Sequence, residues 1–222
     1  MTFPLDWIFY LNIVIVVIFI ATIISLTRKG LLLGLVQLLR VVIALVAAMI
    51  LSGPLAQVFP LLNYKSGGVE TVIANLLSTR ASQPLWFVIV VLVVFVLTKL
   101  LEPLIKLLDE APILGSINRL GGFVLGILVG AFKVVLILIL FTTTLFSNGE
   151  EVINESYLVI AKESLSVVDG FAQPLSNNII LQKYSANETL TSDEEAVVEE
   201  WMNDKGIGHD QIVDFLESLK NE

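Results

Sequence analysis

The chain has no cysteine, one histidine and few charges: Asp, Glu, Lys and Arg make up 15% of its 222 residues. Without cysteine there can be no disulfide, no thiolate metal site and no Cys nucleophile. His209, standing alone, cannot supply the three or four side chains of a zinc centre. No Ser/His/Asp set can be assembled around it, and no glycine loop has the spacing that cradles phosphate. Lys and Arg nowhere reach the density that binding a phosphate backbone requires, so nucleic acid is not an expected partner. No cofactor or metal is expected, and the chain reads as a non-enzyme.

What the chain does contain is apolar, at 56% of its residues, with a mean hydropathy of +0.88. Soluble domains sit near ~45–50% apolar and ~25% charged. Here the apolar residues fall in runs of bilayer length, because ~20 helical residues rise ~30 Å. The expected fold is all-α: a polytopic membrane helix bundle over residues 1–146. About four spanning helices are expected, near 7–27, 31–51, 85–101 and 120–146. Trp7 and Tyr10 stand where an interfacial aromatic belt would lie. Ser52-Gly53-Pro54 is expected to end the second span. Val69, Val72, Ile73, Leu76 and Leu77 recur at helical spacing and predict a short amphipathic helix over about 69–80. The first run lacks a basic leader and a small-residue cleavage site, so it is read as a span rather than a signal peptide.

Charge divides the chain in two. Residues 1–146 hold nine Lys/Arg against five Asp/Glu, whereas residues 147–222 hold four against sixteen. The second part reads as a soluble, acidic, helical tail. Within it, Ser192-Asp-Glu-Glu195 resembles a capping box that opens a helix to about Asp204. Gly206-Ile-Gly208 should break that helix, and an amphipathic segment follows over about Asp210 to Lys220. Basic residues near span ends mark the cytoplasmic side. Arg28, Lys29, Lys99, Lys106 and Arg119 would share one side, with Arg28-Lys29-Gly30 as a tight basic turn. Lys65, Arg80 and Lys162 would fall on the other, so both termini are expected outside the cytoplasm.

Two features inside the spans invite a functional reading. Gly122, Gly126 and Gly130 recur every four residues, a spacing that lets membrane helices approach closely. It serves equally for packing within one bundle, for a homo-oligomer interface or for a hinge. Arg40 and Lys133 lie near mid-depth with no Asp or Glu in any expected span. A charge there costs at least ~2.5–3.5 kcal/mol on insertion scales. Either their long stems snorkel to the headgroups, or both face a polar interior or an anion.

Several stretches together resemble one family. Asp6-Trp7-Ile8 opens the chain, and the first span ends in Arg28-Lys29-Gly30. Later, Pro112-Ile-Leu-Gly115-Ser-Ile-Asn118-Arg119-Leu-Gly121-Gly122 leads into Gly126 and Gly130. Over roughly residues 5–146 this is similar to the colicin V production (CvpA) family of bacterial inner-membrane proteins. The resemblance implies a multi-pass protein of the inner, cytoplasmic membrane. It also implies a role in toxin production or export and in the cell envelope, exercised through membrane or envelope protein partners. No catalytic residue is carried over. Relatives often place an Arg-Glu pair after the basic turn, where this chain has Leu33-Gly34. They also carry a basic residue just before the last glycine, where this chain has Val129, with Lys133 one turn later. Some relatives append an extracytoplasmic serine protease, in keeping with an outward C-terminus. The alternative reading is a small oligomeric channel or transporter for an anion, using Arg40 and Lys133.

Overall fold

Runs of Val, Ile, Leu and Phe with no acidic residue leave the backbone one economical way to satisfy its hydrogen bonds in lipid, which is the helix. The computed structural model describes residues 1–63, 71–99, 115–166, 172–185, 190–204 and 206–220. Among these residues every regular element is helical. A 3-10 turn, Leu5–Trp7, leads into α1, Ile8–Val58; α2 is Thr71–Lys99 and α3 is Gly115–Phe141. Shorter helices follow: α4 Gly149–Glu155, α5 Leu158–Ser166, α6 Ala172–Ser185, α7 Ser192–Asn203 and α8 His209–Lys220. Three of them, α1 to α3, are long and apolar enough to cross a membrane. Their outward side chains form an apolar coat that includes Phe9, Val17, Met49, Val96 and Leu128. Lys65, Lys106 and Pro112 to Leu114 lie outside the described residues.

α1 is two limbs rather than one rod. Gly30 is its non-helical residue, with φ +83° and ψ −179°. That backbone is reserved for glycine, because any Cβ would meet the neighbouring carbonyl. The contacts with α3 fix the result. Along α3, Asn118, Gly122, Gly126 and Gly130 meet Gly30, Leu26, Ile23 and Phe19 in turn. Gly121 and Leu125 meet Leu31 and Gly34, and Val129 clusters with Val41. The first limb, 8–29, therefore runs antiparallel to α3, the second limb, 31–58, runs parallel to it, and the chain reverses at Gly30. α2 packs antiparallel on the second limb through Ala44, Ala48, Val90 and Val91.

Several boundaries differ from the sequence reading. Ser52-Gly53-Pro54 does not stop the second limb, which continues to Val58. A proline costs a membrane helix one hydrogen bond and a local adjustment, not its continuation. From residue 71 onward, the segment read as an amphipathic helix at 69–80 and the span read from 85 are one helix, α2, running through the buried Pro84; residues 69 and 70 lie outside the described residues. On either side of the proline, the Trp86 indole donates to the Phe59 carbonyl at 2.8 Å and Ser82 bonds Leu62. The last long helix begins at Gly115 and ends at Phe141, not near 120 and 146. Thr142 and Thr143 turn their hydroxyls back onto the Ile139 and Leu140 carbonyls there.

The acidic region is packed against the bundle. Val152, Ile153 and Leu158 share a core with Ile15, Val134, Leu138 and Phe141. A second core joins Ile73 and Leu77 of α2 to Ile180, Trp201, Met202, Ile212 and Phe215. Arg80 stacks over Trp201 at 4.7 Å, an arrangement favoured by the ring's negative face. The helix α7 starts at Ser192, the residue expected to cap it, so the cap falls one residue earlier. Thr191 is the N-cap, paired reciprocally with Glu194.

Candidate functional site

The end of the bundle at Gly30 is basic. Asn118 accepts a hydrogen bond from the Leu31 amide, tying the start of α3 to the turn. That contact brings Arg119 beside Arg28 and Lys29, and all three are exposed. The antiparallel path of α2 puts Lys99, in its last turn, at the same end. In the sequence Asn118 stands only as one residue of a motif, and its role is visible only through Gly30.

From that end a glycine seam rises between α3 and the first limb. A Cβ built on Gly126 would lie 2.8 Å from the Ile23 Cα, and one on Gly130 would lie 2.8 Å from the Phe19 ring. At Gly122 the obstacle is the Leu26 carbonyl itself. These glycines face α1 of the same chain.

The two intramembrane cations lie at one depth. Thr22 stands between Ile23 and Phe19, the residues that face Gly126 and Gly130, and so falls at the middle of α3. The Lys133 ammonium donates to the Thr22 hydroxyl at 2.9 Å. That hydroxyl donates in turn to the Ile18 carbonyl at 2.7 Å, so its lone pair is what faces the ammonium. Lys133 therefore reaches toward the centre of the bundle, away from the nearer helix end at Phe141. Helical side chains tilt toward their own N-terminus, which here means inward. Arg40 is 9% exposed. Its neighbour Val41 packs with Leu26 and Val129, which puts Arg40 at the level of the Lys133 ammonium. Thr22 was the residue missed by sequence reasoning, since a lone Thr in an apolar run has no distinguishing pattern.

The opposite end joins both ends of the apolar region. The Met1 ammonium donates to the Leu145 carbonyl at 3.0 Å, and Asn148 exchanges hydrogen bonds with Phe3 in both directions. Asn12 accepts from the Tyr157 amide at 2.8 Å. Gln182, 2% exposed, donates to the carbonyls of Phe141, Thr143 and Phe146 and accepts from the Glu150 amide. Carbonyls left over at the end of α3 are thereby satisfied. Beside this clamp a cavity of about 360 Å³ is lined by Asn148, Glu150, Glu151, Asn154, Glu155 and Lys183. Lys183 bridges Glu150 and Glu194 at 3.7 and 2.8 Å. Burial alone would raise the Glu194 carboxyl. Hydrogen bonds from Lys183 and Thr191, with the Lys183 charge, outweigh it and hold Glu194 below its ordinary value.

An apolar coat around helices joined by a glycine seam defines the class, a helical integral membrane protein. Residues 11–166 match the model of the Colicin V production protein family, and the chain belongs to that family. The match runs beyond α3 through α4 and α5, the two helices that share a core with its end. No curated protein and no solved structure matches the chain.

Proposed function

We propose that this protein is a non-enzymatic member of the bacterial inner membrane that supports colicin V-type toxin production or export and envelope maintenance through protein partners. The observation that carries this reading is the polarity of the bundle. Arg28, Lys29 and Arg119 gather at one end, and the acidic helices α4 to α8 gather at the other. Basic residues stay in the cytoplasm, so the acidic face and both termini lie outside it. Each limb of α1 is ~33 Å or longer at ~1.5 Å per residue, enough to cross the hydrocarbon core. Four crossings follow, two of them the limbs of α1. The partner then meets the acidic extracytoplasmic face, where the surface is hydrophilic and distinct from the lipid-facing coat. Proximity labelling from an enzyme fused after residue 222, in intact cells, tests this. Enrichment of secretion or envelope proteins is expected; a set of cytoplasmic proteins would overturn the orientation and the partner reading together.

A further inference from the structure

We infer that α4 and α5 form a re-entrant hairpin whose tip, Ser156 and Tyr157, is seated in the lipid leaflet at the end that carries Met1, with Tyr157 and Ile160 against lipid. The path of the two helices follows from their partners. Asn148, at the start of α4, bonds Phe3, whereas the Tyr157 amide beyond its far end bonds Asn12. α4 therefore descends along the first limb of α1 toward the bundle centre. α5 returns beside it, since the Lys162 ammonium reaches Asn154 at 3.1 Å and Glu150 at 3.6 Å. Both helices pack inward through Val152, Ile153 and Leu158 onto Ile15 and Leu138.

Depth places the tip within the leaflet. Asn12 is ~24 Å along the first limb from Arg28 at ~1.5 Å per residue, less than the ~30 Å of the hydrocarbon core. Lipid offers no hydrogen bonds, so a helix break there requires its amides to be satisfied by the protein. At this break they are. The Ser156 amide donates to the Ile153 carbonyl and the Val159 amide to the Ser156 carbonyl. The Leu158 amide donates to Ser156 Oγ at 3.3 Å, and the Tyr157 amide donates to Asn12 Oδ1 at 2.8 Å. A break standing in water has no need of a side chain from a membrane span.

The surface agrees with that seat. Asn12 is flanked on α1 by Phe9, Ile13 and Val16, all part of the exposed apolar coat, and Tyr157 and Ile160, 51% and 60% exposed, extend the coat onto α5. A tyrosine suits this boundary, with its ring in lipid and its hydroxyl wet. One turn further from the tip, the outward residues are the exposed Glu163 and Ser164. The carboxylates of α4 turn the other way, into the cavity shared with Gln182 and Lys183 of α6. The hairpin thus gives one face to lipid and the other to water. The family match also ends at residue 166, the last residue of α5.

The chain has no cysteine, so single nitroxide labels read depth directly. The full chain is reconstituted in liposomes of phosphatidylcholine and phosphatidylglycerol, labelled at Ile160→Cys or Ser164→Cys. Collision rates with oxygen, which concentrates in lipid, are compared with those of a water-soluble nickel chelate. The label at 160 should collide more often with oxygen, and the label at 164 more often with nickel. Nickel-dominated collisions at 160 overturn the lipid seat, and oxygen-dominated collisions at both positions overturn the tip-down path. Should Ile160→Cys fail to fold, Tyr157→Cys replaces it with the same two readings. Asn12→Leu should raise the nickel collision rate at 160, because the Tyr157 amide then has to find water; an unchanged rate overturns the role of Asn12 in seating the tip. The seating depends on depth alone and holds for either orientation of the protein, so the labels can reject it while the proposed function stands.

Discussion

At the residue scale, two glycines hold the bundle for different reasons. Gly30 needs its positive φ and sits against Asn118, whereas Gly126 has an ordinary helical backbone with no room beside Ile23. Gly126→Leu forces the seam apart and should lower stability by about 1–3 kcal/mol, the usual cost of overpacking. Thermal unfolding in detergent measures it, and an unchanged midpoint would mean that the seam is loose. Gly30→Ala combines backbone strain of about 1–2 kcal/mol with the clash at Asn118. Gly115→Ala makes the control, because nothing lies within 4 Å of a Cβ there. It should be neutral or slightly stabilising in the same assay.

At the element scale, the joint between the bundle and the acidic helices rests on few polar groups. Gln182→Ala removes the donors that serve three carbonyls at the end of α3. Buried acceptors left unpaired cost about 1–3 kcal/mol. Hydrogen exchange should rise in α4 and α6 while the glycine seam stays protected. Exchange that rises equally everywhere would show one cooperative unit instead. Acid acts on a neighbouring contact. Glu194 titrates below its ordinary value of 4.5 in the folded chain. Its stabilising effect is therefore complete above that value and is lost as pH falls through the lowered one. α7 should loosen as pH falls below 4.5 and through that lowered value, detected as a change in Trp201 fluorescence, and Glu194→Gln should remove that acid step. A step unmoved by the substitution would assign it to another carboxylate.

At the scale of the whole molecule, orientation is the quantity to measure. Met1 and Phe3 bond residues that follow α3, so the N-terminus and the acidic region share one end. Ser116 lies at the start of α3, exposed, at the basic end. A membrane-impermeant thiol reagent should label Ser192→Cys in intact spheroplasts and Ser116→Cys only after lysis. The chain has no native cysteine to confuse the result. The reverse pattern would invert the protein in the membrane without disturbing its fold.

The sequence by itself determined that the chain is a helical membrane protein, which family it resembles, and where its charges and glycines fall along the helices. Hydropathy and spacing are local properties, and in lipid they leave the backbone little choice. Only the tertiary structure decided which residues meet. It carried α2 through Pro84, with Phe59 and Leu62 of the preceding segment bonded on either side of it. It joined α4 and α5 to the bundle, where the sequence shows Val, Leu and Ile enough to dock on something but does not say on what. Above all it set Thr22 beneath the Lys133 ammonium, 111 positions away along the chain. A hydroxyl buried in one apolar run carries no mark of the charge it will meet in another. That pairing is fixed by the register of α3 against α1, which the glycine seam sets through close contact of two backbones.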